Sequence, residues 1–268
     1  MQSRDHFATR LGFVLAAAGS AVGLGNIWKF PYMTGQSGGG AFLLIYLAFV
    51  FSIGFSVMLA EFAIGRAGQR NPVGSFRALK GGPWAAAGGL GVLAGFVILS
   101  FYSVVGGWTI AYAVKAATGA LAHSDPKALG ATFGGFISEP WGVIGFHTLF
   151  MVLTAGVIAG GVRGGIERAS RILMPILAVL VVVLAVRAVT LDGAEKGIAF
   201  FLTPDFSKVT WDTVNAALGQ AFFSLSLGMG AMLTYASYLD KQVNLPRTAA
   251  QVTFLDTAFA VIAGFMIL

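Results

Sequence analysis

The sequence has no cysteine, only three histidines and few charges in its 268 residues. Without cysteine there can be neither a disulfide nor a thiolate metal site. His6, His123 and His147 are scattered, with no metal-ligand spacing and no nucleophile–base pairing, so nothing points to an enzyme. Charged residues make up 10% of the chain, against about 25% in an ordinary globular domain. With 57% hydrophobic residues, the chain cannot present enough polar surface to water, which excludes a soluble domain and implies an integral membrane protein. No ring of charged residues marks a channel pore. A cleavable leader is also lacking: the first apolar run follows Arg4 and Arg10 but continues through Phe30 without a small-residue cleavage site, and so reads as a retained first span.

What is present is a series of long apolar runs. At about 20 residues per crossing, seven spans are expected, roughly 11–34, 40–65, 84–118, 141–160, 166–190, 213–239 and 247–268. The last runs into Leu268 with no polar flank, which reads as a C-terminal truncation. The net charge of +6 has a topological explanation. If the N-terminus is cytoplasmic, eleven basic residues face that side (Arg4, Arg10, Arg66, Arg70, Arg77, Lys80, Arg163, Arg168, Arg171, Lys241 and Arg247) and six face the other. This is the positive-inside bias, and it argues against nucleic acid as a partner.

Two spans are interrupted. AVGLGNIWKF, residues 21–30, carries Gly23, Gly25 and Asn26 in the middle of the first, although glycine weakens a helix by about 1 kcal/mol relative to alanine. GQAFFSLSLGMGAMLTYASY, residues 219–238, breaks the sixth with Ser224, Ser226, Gly228 and Gly230. A lone glycine pair ordinarily marks close helix packing. Two breaks at corresponding positions, each beside a polar side chain, point instead to a transporter site built from discontinuous helices. Carbonyls freed at such a break can ligate a cation, and the N-terminus of the resuming half-helix favours an anion.

GSAVGLGNIWKFPY, GGGAFLLIY, EFAIGR and FFSLSLGMGAMLTYASY resemble the neurotransmitter:sodium symporter family, in particular its bacterial amino-acid transporters of the leucine-transporter type. The resemblance runs collinearly from Arg4 to about Gly264. It implies an all-α membrane fold of twelve helices, the first ten forming two inverted five-helix repeats, with helices 1 and 6 discontinuous. Within one transmembrane domain spanning 1–268, helices 1–5 would occupy about 8–190 and helices 6–7 about 212–268, with helices eight to twelve absent.

The resemblance also implies residue roles. A first sodium site would use the carbonyl of Ala21, the side-chain oxygen of Asn26, the carbonyl and hydroxyl of Ser224, Asp256 and the substrate carboxylate; hard oxygens suit an alkali cation. The substrate carboxylate would meet the N–H groups of Leu24 and Gly25 and the hydroxyl of Tyr102. Its amino group would meet carbonyls of Ala21, Phe223, Ser224 and Ser226. Ile98, Phe223 and Met229 would face its side chain, although packing is the ordinary reading for Ile98 and Met229 without the resemblance. Met229 stands where the leucine-type transporter has Phe, and its adaptable thioether suits large aliphatic or aromatic substrates. A second sodium site would take carbonyls of Gly19 and Val22, with its remaining ligands in the absent eighth helix. Tyr102 and Phe223 would form a lid, Lys29 an outer gate, and Arg4, Phe7, Ser237 and Tyr238 the inner gate region, with Glu61 holding freed backbone groups at the breaks.

Asp256 departs from the leucine-type transporter, which has Asn there. Chloride-dependent relatives bind an anion with groups aligning with Tyr46, Gln220 and Ser224, so a built-in carboxylate implies chloride-independent transport; a protonated Asp merely bonded between helices is the alternative. Gly165 and Pro175, ten apart in GIERASRILMP, suit local unwinding or a simple kink.

The implied function is sodium-coupled symport of a neutral, hydrophobic L-amino acid by alternating access, in a multi-pass protein of the inner (plasma) membrane. Sodium ions and the amino acid are its small-molecule partners and the lipid bilayer its surroundings; a homodimer is left open. The alternative is a truncated, non-transporting ligand-binding or scaffold protein, and a chain lacking half of the second site is expected not to transport alone.

Overall fold

The computed structural model describes residues 6–122 and 125–268, so Arg4 and His123 lie outside the described residues. Apolar helices dominate: α1 (Arg10–Ala21), α2 (Phe30–Gln36), α3 (Gly40–Phe49), α4 (Phe55–Gly68), α5 (Pro72–Lys80), α6 (Ala85–Ala117), α7 (Pro126–Ile137), α8 (Pro140–Ala159), α9 (Arg168–Val189), α10 (Ala194–Leu202), α11 (Trp211–Ser224), α12 (Ala231–Ala236) and α13 (Leu245–Ile267). Their starts follow local chemistry. Thr9, Asn71, Glu139 and Asn244 accept backbone N–H groups at the entrances of α1, α5, α8 and α13, and in the last three a proline stands in the first turn, where it loses no helical bond.

Among the described residues, five helical stretches are long and apolar enough to cross a bilayer: Gly40–Gly68, Gly82–Ala117, Pro140–Ala159, Gly161–Val189 and Leu245–Ile267. A sixth crossing is available if Arg10–Ala21 and Gly25–Gln36, bent by 49°, count as one. The expected span 213–239 is divided into α11, of 14 residues, and α12, of 6, neither of which is long enough alone. Length and composition therefore do not reach the expected count of seven. Wider turns of π type occur at Gly25–Lys29, Val50–Gly54 and Gly161–Glu167. The last includes Gly165, and Pro175 lies inside α9.

The core gathers around the broken elements. Phe13, Phe30, Tyr46, Phe62, Met232 and Ala260 are fully buried, whereas α8 buries no residue and α9 few. Small residues set the closest approaches. A Cβ on Gly65 would lie 2.1 Å from the Leu233 carbonyl oxygen, so α4 and α12 touch backbone to backbone. Gly65→Ala is expected to cost about 2 kcal/mol by overpacking, seen as a lowered melting temperature of the detergent-solubilised protein.

Candidate functional site

The first break follows Ala21. Val22 is extended (φ −71°, ψ 115°), and its N–H still bonds the Ala18 carbonyl at 2.6 Å. Two further N–H groups find side chains in place of helical carbonyls: Gly23 donates to Asn26 Oδ1 at 3.0 Å and Leu24 to the Tyr102 hydroxyl at 2.9 Å. The helix then resumes at Gly25.

The second break runs from Leu225 to Gly230. Gly228 (φ +79°) and Gly230 (φ +74°) adopt left-handed backbone that glycine takes without strain. Ser226 (φ +54°) does so with a side chain, and its hydroxyl donates to the Ser20 carbonyl at 2.9 Å, tying the two breaks together. Glu61, buried on α4, accepts from Gly228 N at 2.7 Å and Leu233 N at 3.3 Å and so bridges the two sides of the gap. Its hydrogen bonds all go to this second break.

A polar cluster lies between the breaks. Asn26, Ser224 and Asp256 are wholly buried. Asn26 Nδ2 lies 2.8 Å from Asp256 Oδ1, 3.0 Å from the Asp256 carbonyl and 3.0 Å from Ser224 Oγ. Ser224 Oγ donates to Asp256 Oδ2 at 2.7 Å, and the Tyr46 hydroxyl donates to Ser224 Oγ at 3.2 Å. Gln220 Nε2 donates to the Gly25 carbonyl at 2.8 Å, while its buried Oε1 has no hydrogen-bond partner among the described residues. Carboxylate and hydroxyl oxygens thus converge in a buried cluster with the Asn26 side-chain NH₂, whose Oδ1 is turned to Gly23 N, and no Lys, Arg or His is paired to the acid among the described residues. That donor set fits a hard, singly charged cation. No group of three or more His, Cys, Asp or Glu that could hold a metal ion occurs among the described residues.

Beside the cluster is a cavity of about 210 Å³ lined by Ser20, Ala21, Gly25, Gly95, Ile98, Leu99, Tyr102, Phe223, Ser226 and Met229. Of the residues assigned by resemblance to the substrate, Ala21, Gly25, Ile98, Tyr102, Phe223, Ser226 and Met229 line it. Ser224 belongs to the polar cluster, and Leu24 lines a second, outer cavity of about 290 Å³ on the far side of Tyr102 and Phe223. These two rings pack edge to face, centroids 6.4 Å apart, and Lys29 Nζ sits 4.3 Å from the centroid of Phe223. Gly95 and Leu99 were missed by sequence reasoning, yet they precede Ile98 and Tyr102 by the helical three-residue step and so share their face of α6.

The remaining assigned residues lie apart. Gly19 and Val22 face α9, where a Cβ on Gly19 would lie 3.2 Å from Met174 Sδ and Val22 packs with Met174 and Phe259. Phe7 and Tyr238 line a third cavity of about 450 Å³, with the Phe7 ring 5.3 Å from Phe13 and 6.3 Å from Tyr235. Glu167 was also missed. Though almost wholly buried, it accepts from Ala8 N at 2.8 Å and Thr9 Oγ1 at 3.3 Å and pairs with Arg171, fastening the start of α1 to the wide turn before α9.

Residues 4–129 and 139–268 match the model of the Sodium:neurotransmitter symporter family. The chain belongs to this family. It is 45% identical over 99% of its length to the uncharacterized sodium-dependent transporter YhdH of Bacillus subtilis, covering 59% of that protein. It is 29% identical to the sodium-dependent neutral amino acid transporter SLC6A17 of Mus musculus, over 99% of this chain and 40% of that one. Among solved structures, the crystal structure of MhsT in complex with L-phenylalanine superposes with a TM-score of 0.93 at 51% identity, covering 99% of this chain and 60% of MhsT. The chain thus spans about 60% of the length of YhdH and of MhsT. Membership in a family of sodium-dependent transporters, with several helices long and apolar enough to cross a bilayer, supports a multi-pass membrane protein.

Proposed function

We propose that this chain forms the substrate- and sodium-binding part of a symporter that carries a neutral, hydrophobic L-amino acid inward with sodium, without requiring chloride, by alternating access. The observation that carries the reading is the pair of breaks enclosing a cavity of about 210 Å³ beside the buried Asn26–Ser224–Asp256 cluster. That volume lies below the roughly 300–1,000 Å³ of drug-sized sites and suits one small molecule. A zwitterion needs both ends satisfied in an apolar setting. Freed N–H groups and the Tyr102 hydroxyl suit its carboxylate, freed carbonyls its ammonium, and Ile98, Phe223 and Met229 its side chain. Support also comes from relatives named as neutral amino acid transporters and from L-phenylalanine in the MhsT complex.

In this reading Ala21, Asn26, Ser224 and Asp256 hold one sodium ion, and Gly19 and Val22 contribute to a second. Lys29 with Phe223 closes the cavity from outside, and Phe7 and Tyr238 belong to the inner gate. The chain supplies helices 1–5 (about 8–190) and 6–7 (about 212–268) of a twelve-helix inverted-repeat fold in the inner membrane, N-terminus cytoplasmic. One charge moving down a 100 mV potential contributes about 2.3 kcal/mol, enough to bias the cycle inward.

Binding of radiolabelled leucine, tryptophan and phenylalanine, in sodium or in potassium, tests this on the chain and on a version extended to the relatives' length. Saturable binding in sodium that is lost in potassium is expected of the extended protein. Equal binding in the two salts, or none of the three amino acids bound, would overturn the reading.

A further inference from the structure

The strongest surface feature outside the site is a basic cluster on the short helix α5 and the residues just before it. No Asp or Glu occurs between Glu61 and Asp125, while Arg70, Arg77 and Lys80 fall within eleven residues of one another and are all exposed. None of the three enters an ion pair, and none of their side chains donates a hydrogen bond, among the described residues. Some other cations are held by the protein: Arg66 donates to the Val243 carbonyl at 2.6 Å, Arg163 to the His6 carbonyl at 2.7 Å, and Arg171 pairs with Glu167.

Two further facts say what faces the cluster. The helix joins Gly40–Gly68 to Gly82–Ala117, both long and apolar enough to cross a bilayer, so it lies at the membrane boundary. It is docked by buried Pro72 and Ser75, and a Cβ on Gly88 of α6 would lie 2.6 Å from the Pro72 backbone, which leaves the opposite side free. Leu79, at the margin of the docked face, is 43% exposed, and Trp84, in the turn that follows the helix, is 55% exposed, so the two flank Lys80. Unpaired Lys and Arg beside an exposed aromatic residue at the membrane edge is the chemistry that recognises an anionic lipid surface.

We propose that Arg70, Arg77 and Lys80, with Leu79 and Trp84, form a binding surface for the headgroups of anionic phospholipids. Phosphate oxygens accept from the guanidinium and ammonium groups, while Leu79 and Trp84 enter the headgroup–acyl boundary. Leu79 and Trp84 distinguish this surface from a site for a soluble anion, which has no use for exposed apolar side chains. The inference needs only the multi-pass character of the chain and is independent of the substrate.

The test is quenching of tryptophan fluorescence by brominated phosphatidylglycerol against brominated phosphatidylcholine, with the protein in nanodiscs. The contribution of Trp84 is the difference between the protein and Trp84→Phe. Each basic residue near an anionic surface favours binding roughly fivefold, so at least a fivefold preference for phosphatidylglycerol is expected at Trp84. Arg77→Gln with Lys80→Gln should erase it, Arg77→Lys should keep it, and Lys127→Gln, in α7, should leave it unchanged. Equal association constants for the two lipids, or a preference that survives the loss of Arg70, Arg77 and Lys80 together, would overturn the proposal. So would saturable binding of soluble glycerol phosphate to the protein without lipid headgroup competition, lost in Arg77→Gln with Lys80→Gln, which would assign the cations to a free anion.

Discussion

Asp256→Asn is expected to weaken apparent sodium affinity about a hundredfold in chloride-free medium and to make binding respond to chloride. Asp256 is wholly buried, and both carboxylate oxygens are engaged, one by Asn26 Nδ2 and one by Ser224 Oγ. None of the neighbours these bonds bring together, Asn26, Ser224 and Tyr46, carries a positive charge. A lone charge in such a place needs a cation, and in the proposed cycle that cation is sodium. The amide has nearly the same shape, so the substitution removes the charge with little change in packing. Loss of one partner of a buried ion pair costs about 3–5 kcal/mol, and 3 kcal/mol is roughly a hundredfold in affinity. The Tyr46 hydroxyl and the second hydrogen of Gln220 Nε2 can then donate to an anion supplied from solution. Sodium titrations of amino-acid binding in chloride and in gluconate measure the effect. The unsubstituted protein is expected to give the same midpoint in both salts. Unchanged affinity of the Asp256→Asn variant in gluconate would mean that Asp256 serves as a neutral hydrogen-bonding group between helices.

The breaks were legible in the sequence because their cause is chemical. Glycines alone also line the unbroken α6, but glycine beside buried asparagine or serine at two corresponding positions marks where the backbone leaves the helix, and it does so at 22–23 and 225–230. The long apolar helices were legible for the same reason, as unbroken hydrophobicity of membrane length. Other features leave no such trace. The wide turn at Val50–Gly54 changes the hydrogen-bond register and not the composition. Glu167 reads in sequence as one charge among several near a helix end, and only folding buries it against the start of α1. Leu24 is one residue from Gly25, yet with helical backbone at Leu24 the step between them sends it to the second cavity while Gly25 lines the first. A rotation of that kind depends on backbone angles that residue type does not fix.

Glu61→Ala is expected to abolish ligand binding and to lower the thermal stability of the protein more than Gly65→Ala does. The carboxylate accepts one N–H from inside the second break, at Gly228, and one from the first turn of the resuming helix, at Leu233. These donors exist because the helix is interrupted: neither Gly228 N nor Leu233 N has a carbonyl four residues back in helical register. Removing the acceptor strands both in a membrane interior, at about 1–3 kcal/mol for each buried unsatisfied group. The cost falls on the segment that carries Ser226 and Met229 into the cavity, so the site should be lost before the helical bundle is. Glu61→Gln separates the two effects. Its single carbonyl oxygen can accept one of the N–H groups, while its NH₂ meets the other as donor against donor. It should therefore fold more stably than the alanine variant and still bind weakly. Melting temperature and sodium-dependent amino-acid binding, measured side by side on both variants, decide the matter. Full binding by Glu61→Ala would mean that the second break holds its shape without the carboxylate.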